Sequence, residues 1–154
     1  MDSEFEVSRR KLPHYRVEGA IYFITFRLRR GSLIRDEIRL VLDHIREGDG
    51  RFYDLIADVV MPDHVHLVLR PSDGMSLQRI MKGIKGVSAR KINLGRGSAG
   101  ELWQDESMDH IIRDAKDFEG ILRYIQDNSV KAGLAEDGWY YEGFYCKPEI
   151  YGLA

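Results

Sequence analysis

The sequence predicts an α+β fold: an antiparallel sheet with helices on one face and an additional C-terminal helix. Two observations lead to this prediction. Apolar runs rich in β-branched and aromatic residues, typical of strands, alternate with segments whose apolar residues recur every three or four positions, typical of helices. A chain of 154 residues, 44% of them hydrophobic, is also long enough for one domain with a sizeable core.

The first strand is expected within Gly19–Leu28, a stretch of aromatic and β-branched residues. Its alternation places Phe23 and Thr25 on the same face of the strand. The first helix is expected to begin after Ser32, a favourable N-cap, and to end just before Gly48. The apolar residues between them recur at helical spacing, which predicts one buried face.

Two apolar runs, Tyr53–Val60 and Val65–Arg70, are predicted to pair as an antiparallel hairpin. Met61-Pro62-Asp63 separates them, and a proline that cannot donate to a strand ladder is typical of a turn. His64 and His66 lie just after this turn. Because side chains alternate along a strand, both histidines are expected to project from the same face.

A second helix is expected from Ser76, followed by a flexible loop over Asn93–Gly100. Short strands are expected at Leu102–Gln104 or His110–Arg113. Lys116–Asn128 is predicted to be the third helix, and the aromatic tail after it is expected to pack on the body. This order, β-α-β-β-α-β plus a helix, is that of ferredoxin-like and RRM-like folds.

Residues 1–12 are expected to form a flexible basic arm, and residues 13–154 a single domain. No apolar run is long enough for a membrane span, and the single Cys146 fits a reducing, cytoplasmic compartment. The net charge of −2 conceals basic segments: residues 76–96 contain six Lys or Arg and no acid. A polyanion such as DNA is therefore a candidate partner, although solvated helix faces would explain the same segments.

The two histidines are spaced to hold one metal ion, but two imidazoles do not complete a metal shell. Asn128 offers an amide oxygen, a hard donor suited to Mg²⁺ or Mn²⁺. Tyr124 lies one helical turn before Asn128, at the edge of the apolar face of the predicted third helix. If Asn128 reaches the metal, the Tyr124 hydroxyl is expected to lie near a metal-bound phosphate. Two hydrogen-bonded histidines and an aromatic residue packed on the sheet would explain the same pattern.

Four sequence blocks occur in an order that is more specific than any one of them. They are Leu-Pro-His-Tyr-Arg with the strand Tyr-Phe-Ile-Thr-Phe after it (12–26), Val-Met-Pro-Asp-His-Val-His-Leu-Val-Leu (60–69), Leu-Trp-Gln-Asp-Glu-Ser-Met-Asp-His-Ile-Ile-Arg-Asp (102–114) and Leu-Arg-Tyr-Ile-Gln-Asp-Asn-Ser-Val-Lys-Ala-Gly-Leu (122–134). Together they resemble the HUH single-tyrosine transposases, in particular the REP-associated tyrosine transposase branch.

The resemblance implies a DNA strand transferase that acts on single-stranded DNA, often beside a hairpin. His64, His66 and Asn128 would bind Mg²⁺ or Mn²⁺, and Tyr124 would attack the scissile phosphate. A 5′-phosphotyrosine and a free 3′-OH would result, and a second 3′-OH could then rejoin the DNA. Such enzymes occur as monomers and as homodimers, so the resemblance leaves both states open.

The resemblance also gives the basic segments a role, since they are expected to contact the hairpin and the DNA backbone. The residues concerned are Arg9, Arg10, Lys11, Lys82, Lys85 and Arg90. One departure is Ser129, which stands where relatives usually carry a proline. Two alternatives remain: a non-catalytic single-stranded nucleic-acid-binding module whose strand-one aromatic residues stack on bases, and a metal-dependent hydrolase.

Overall fold

The computed structural model describes residues 19–151 and has the predicted α+β architecture. The predicted arm at residues 1–12 lies outside the described part. The strands are β1 (Tyr22–Arg27), β2 (Tyr53–Val60), β3 (His64–Pro71), β4 (Met108–Ile111) and β5 (Phe144–Cys146), and the helices are α1 (Arg35–Glu47), α2 (Leu77–Arg96) and α3 (Ala115–Lys131). Two short 3₁₀ helices, Gly138–Tyr140 and Pro148–Tyr151, flank β5.

The strands form one sheet in the order β4-β1-β3-β2-β5, and every neighbouring pair is antiparallel. Its first four strands have the order expected for the predicted ferredoxin-like plan. The aromatic tail packs on the body, as predicted, because β5 pairs with β2 at one edge of the sheet. No helix in the described part of the chain combines the length and the apolar character that crossing a membrane requires.

The sheet separates two hydrophobic clusters. Helices α1 and α2 cover one face, where their buried residues pack against alternate residues of the three central strands. Helix α3 covers the other face, with Phe118, Leu122 and Ile125 buried against it. The predicted additional helix therefore lies across the sheet from the first two. Val65 and Leu67, which alternate with the histidines along β3, point toward α1 and α2. Both histidines therefore lie on the opposite face, beneath α3.

Three local predictions were wrong. The N-cap of α1 is Ile34 rather than Ser32, and the side chain of Glu37 accepts the hydrogen bond from its backbone N–H. Helix α2 continues to Arg96, and only there does Gly97, with a φ of 67°, end it. The strand expected at Leu102–Gln104 is only a bridge between Trp103 and Leu28, and β4 begins at Met108.

Candidate active site

The candidate site lies where α3 crosses strands β1 and β3. In the antiparallel pairing of these strands, Thr25 is opposite His66 and Arg27 is opposite His64. Since paired residues share a face of the sheet, these four side chains lie on the face that α3 covers. The predicted placement of both histidines on one face is confirmed.

His64 is held between a turn residue and α3. Its Nδ1–H donates a hydrogen bond to Oδ1 of Asp63 over 2.7 Å, and this bond lowers the pKa of the Asp63 carboxyl. Its Nε2 lies 3.2 Å from Oδ1 of Asn128. With Nδ1 protonated, a neutral His64 carries a lone pair on Nε2 that faces the lone pairs of an amide oxygen. Such a contact is favourable only with a proton or a cation between the two atoms.

His66 is almost fully buried, with 3% of its surface exposed. Its Nδ1 lies 2.7 Å from Oγ1 of Thr25, whereas its Nε2 is buried without a hydrogen-bond partner among the described residues. Burial, assisted by nearby His64 and Arg27, lowers the pKa of His66 to about 3. The imidazole is therefore neutral, which is the form that binds metal ions.

Tyr124 lies above the two histidines with an accessible side chain. Its ring packs edge-on against His66, with the ring centroids 5.2 Å apart, and more distantly against Phe23. Tyr124 remains 44% exposed, so its side chain is open to solvent. The Nζ of Lys131 lies 5.7 Å from the centre of the Tyr124 ring. An aromatic residue, two imidazoles and an amide thus converge at one point of the fold.

Ser129 explains why α3 continues as far as Lys131. The helix runs three residues beyond Asn128, and its C-cap is Ala132, whose N–H bonds to the Asn128 carbonyl. A proline at position 129 would lack the N–H needed inside a helix. Because Ser129 keeps that N–H, Asn128 lies within a regular helical turn, one turn from Tyr124, and Lys131 follows on the same helix.

The donor set fits a hard divalent cation. Two imidazole nitrogens and one amide oxygen converge from β3 and α3, and the orphaned Nε2 of His66 is an available ligand. Neighbouring ligands of an octahedral Mg²⁺ with bonds of about 2.1 Å lie about 3 Å apart, compatible with the separation of His64 and Asn128. Residues 19–151 contain no group of three His, Cys, Asp or Glu side chains suited to a metal, and the amide of Asn128 is an oxygen donor beside the two histidines.

Of the predicted DNA-binding residues, those that the structure describes lie away from this site. Arg9, Arg10 and Lys11 lie outside the described residues. Lys82, Lys85 and Arg90 lie on α2, across the sheet from Tyr124, along a groove that also contains acidic side chains. Those acids are Glu101, Asp105 and Asp109. The Nζ of Lys85 donates hydrogen bonds to the backbone carbonyls of Gln104 and Asp105 and therefore holds this loop.

The base-stacking surface of the alternative prediction is covered. Phe26 is 1% exposed and packs edge-on against Trp103 beneath the first two helices. Tyr22 packs against the same cluster, and Phe23 lies between the sheet and α3. Both faces of the sheet carry helices, so residues 19–151 do not present the open aromatic platform that an RRM-like module uses.

The sequence motifs did not indicate that three further residues lie near the site: Thr25, Arg27 and Lys131. Alternation along β1 places Thr25 on one face, and the predicted ferredoxin-like plan pairs β1 with β3, but the sequence did not indicate the register that brings Thr25 opposite His66. Arg27 follows two positions later on the same face. Lys131 lies beyond Asn128, the predicted end of the third helix, and only the extension of α3 places it near Tyr124.

Comparison with known proteins adds independent evidence. The family model for IS200-like transposases matches residues 20–128, a range that includes all four side chains of the site. A Haemophilus influenzae protein assigned by name to the REP-associated tyrosine transposases is 29% identical over 151 residues, which cover 87% of this chain and 86% of that protein. The REP-associated tyrosine transposase of Escherichia coli K12 is 27% identical over 138 residues, covering 85% and 80%.

A solved structure shares the fold. A REP-associated tyrosine transposase bound to a REP hairpin aligns with a TM-score of 0.63 and 23% identity, over 82% of this chain and 76% of that one. The resemblance that the sequence blocks indicated is therefore confirmed by sequence and by fold. Because the family model spans well over half of its residues, this chain belongs to the IS200-like transposase family.

Proposed function

We propose that this transposase cleaves and rejoins single-stranded DNA through a covalent 5′-phosphotyrosine on Tyr124, with Mg²⁺ or Mn²⁺ held by His64, His66 and Asn128. One observation carries the proposal. The accessible ring of Tyr124 packs on His66, and one helical turn away Asn128 reaches to 3.2 Å from His64. A nucleophile and a set of metal donors thus share one site.

Each residue has a defined task in this chemistry. His64, His66 and Asn128 would hold the cation, which when bound would supply Lewis-acid polarisation of the scissile phosphate. The Tyr124 oxygen attacks phosphorus and loses its proton to water, while the bond from phosphorus to the 3′-oxygen breaks and that oxygen gains a proton. The DNA on the 3′ side of the cut remains attached to Tyr124 through its 5′-phosphate, and the other fragment leaves with a free 3′-OH.

Rejoining follows by the reverse reaction with a different strand. A second 3′-OH attacks the phosphotyrosine, displaces the Tyr124 oxygen and forms a new phosphodiester. The covalent bond conserves the energy of the original linkage, so the cycle needs no nucleotide hydrolysis. The phosphotyrosine keeps the DNA covalently attached to the protein until a DNA hydroxyl, rather than water, attacks it, and this is why a tyrosine nucleophile suits strand transfer.

All four side chains belong to one chain, so the proposed site needs no helix from a partner subunit. We therefore expect a monomer to cleave DNA. The shared fold with a protein bound to a REP hairpin supports a hairpin flanked by single-stranded DNA as the substrate. For the backbone contacts, Lys82 and Arg90 remain candidates with the basic residues at positions 9–11, whereas Lys85 would first have to release its loop.

A covalent-adduct assay tests the proposal. A hairpin oligonucleotide with single-stranded flanks, labelled at its 3′ end, is incubated with the protein and Mn²⁺ and separated under denaturing conditions. The label is expected in a protein band, and Tyr124→Phe is expected to abolish that band. The matched control is Tyr140→Phe, since Tyr140 is 81% exposed and lies away from the histidines on the tail.

The alternatives give different results in the same assay. A metal-dependent hydrolase would shorten the oligonucleotide without attaching it to the protein. A non-catalytic module would bind the oligonucleotide and leave it intact with every metal. If the adduct persists in Tyr124→Phe, the assignment of the nucleophile is wrong, and if Tyr140→Phe alone removes it, the tail carries the nucleophile.

A further inference from the structure

The two ring nitrogens of His66 have opposite surroundings. Nδ1 lies 2.7 Å from the hydroxyl oxygen of Thr25, whereas Nε2 is buried and has no hydrogen-bond partner among residues 19–151. A neutral imidazole has one protonated nitrogen and one with a lone pair. The position of that single proton decides whether Nε2 can bind a cation.

Thr25 is held rigidly in front of Nδ1. It lies in the middle of β1, directly opposite His66 in the antiparallel ladder, and β1 is flanked by β3 and β4. A β-branched side chain in a strand has few rotamers available, so its hydroxyl stays in one place. The Thr25–His66 contact is therefore set by strand register rather than by a mobile loop.

We propose that Thr25 is a positioning residue for the metal site. Its hydroxyl oxygen accepts the Nδ1–H of His66, which keeps the proton off Nε2 and directs the Nε2 lone pair toward the point where His64, Asn128 and Tyr124 converge. This inference rests on the proposed function, since it concerns the same metal. Thr25 does not contact the metal in this proposal, but it determines whether Nε2 of His66 is unprotonated and able to bind it.

The hydrogen-bond partners at Nδ1 of the two histidines differ in whether water can replace them. His64 has a comparable support in Asp63, but the Asp63 side chain is 64% exposed, so water can take its place at Nδ1. His66 is 3% exposed, and water does not reach its Nδ1 so easily. Without the Thr25 hydroxyl, the Nδ1–H of His66 would lose its partner, and the ring would be free to adopt the tautomer that protonates Nε2.

Mn²⁺ binding to the full chain tests this inference without DNA. Wild type and variants are titrated with Mn²⁺, and free Mn²⁺ is followed by electron paramagnetic resonance. Thr25→Val keeps the shape but removes the hydroxyl, and it is expected to weaken binding by about 10- to 100-fold, the effect typical of residues that orient a ligand. Thr25→Ser restores a hydroxyl and is expected to bind within a few-fold of wild type.

Two controls separate this inference from the proposed function. Asn128→Ala is expected to weaken Mn²⁺ binding strongly, and His44→Gln, on α1 across the sheet, is expected to leave it unchanged. If wild type binds no Mn²⁺, or Asn128→Ala binds as well as wild type, the metal assignment fails and this inference fails with it. If those two behave as expected while Thr25→Val binds like wild type, only the role of Thr25 is refuted.

A second measurement remains informative even if Thr25→Val folds poorly. The ¹⁵N resonances of His66 in the wild-type protein without metal report its tautomer directly. Protonated Nδ1 and unprotonated Nε2 are expected. A proton on Nε2 would overturn the inference, as would equal melting temperatures in Thr25→Val and wild type accompanied by equal Mn²⁺ affinity.

Discussion

The imidazole of His64 and the amide of Asn128 meet across 64 positions of sequence, with Nε2 3.2 Å from Oδ1. The contact joins the start of β3 to the last turns of α3. It links β3 and α3, the two elements of the described chain that carry the proposed donors, and it helps to position the Tyr124 helix over the histidines of the same chain.

The first prediction concerns Asn128. Asn128→Ala removes the oxygen donor while leaving both imidazoles in place, so DNA cleavage is expected to fall on the order of 100-fold. Single-turnover cleavage of the labelled hairpin measures this, and excess Mn²⁺ is expected to recover part of the rate. The neighbouring Asp127→Asn serves as the control. Equal losses in both variants would mean that the effect comes from disturbing α3 rather than from losing a ligand.

The second prediction concerns Lys131, whose Nζ lies 5.7 Å from the centre of the Tyr124 ring. A positive charge there favours the negative charge that develops on the attacking oxygen and on the phosphate. Lys131→Gln is expected to slow adduct formation about tenfold, less than the loss of a buried donor, because Lys131 is exposed and screened by salt. Lys131→Arg is expected to retain most of the rate.

Lys116, exposed in the first turn of the same helix, provides the matched control for Lys131. Lys116→Gln is expected to form the adduct at the wild-type rate. Similar slowing in both glutamine variants would show that the helix carries a general attraction for DNA and that Lys131 has no particular relation to Tyr124.

The parts of the fold with strong local signals were predictable. Strand β2 spans the predicted Tyr53–Val60, because a β-branched run ends there at a proline turn. The apolar face of α3, with Phe118, Leu122 and Ile125, was equally clear from the sequence. Helical geometry alone placed Asn128 one turn from Tyr124. Helix α2 was predicted too short because three glycines suggested a loop. Gly95 nevertheless lies in the helix, with nothing within 4 Å of a Cβ built there, and its neighbours continue the helical pattern.

The order of the paired strands followed from the predicted fold, but the register of the pairs and the bulge in β2 were not predictable. Thr25 meets His66 only because β1 and β3 pair in one register. A bulge between Leu55 and Ala57 shifts the alternation of β2 and turns Asp58 toward α1. A bulge adds one residue without a distinctive local motif, so alternation counted along the sequence assigns the following residues to the wrong face.

The third prediction concerns this buried Asp58. Its carboxyl is fully buried with no hydrogen-bond partner among the described residues, and burial raises its pKa well above the ordinary value, although nearby Arg46 opposes this shift. The folded protein therefore binds the proton more tightly than the unfolded chain. Stability from this group is complete below the ordinary Asp pKa of about 3.9 and is lost as the pH rises toward the folded pKa.

Asp58→Asn replaces the buried carboxyl by a neutral amide, which does not have to be protonated in the folded protein. We expect its free energy of unfolding at pH 7 to exceed that of wild type by roughly 1 to 3 kcal/mol, with little difference at pH 4. Urea unfolding at several pH values measures both. Asp43→Asn, on the exposed face of α1, is the control and is expected to change stability little at any pH. A wild type that gains stability between pH 4 and pH 7 relative to Asp58→Asn would contradict the prediction.

The fourth prediction concerns how the C-terminal segment holds α3. A Cβ on Gly138 would lie 1.7 Å from the backbone oxygen of Gln126, which lies between Tyr124 and Asn128 on α3. Gly138→Ala must therefore displace this segment or the helix, and it is expected to lower the free energy of unfolding by about 1 to 3 kcal/mol. Because the displaced turn carries the nucleophile and a metal donor, adduct formation is expected to fall as well.

Gly120, also on α3, provides the opposite case. Nothing lies within 4 Å of a Cβ built there, and alanine is the better helix former. Gly120→Ala is therefore expected to raise the free energy of unfolding by about 0.5 to 1 kcal/mol and to leave the rate of adduct formation unchanged. Urea unfolding followed by circular dichroism compares the two variants. If Gly138→Ala does not lower the free energy of unfolding, the close approach of Gly138 to Gln126 does not hold α3 in place, and the position of Tyr124 depends on the other contacts of the helix, such as those of Phe118, Leu122 and Asn128.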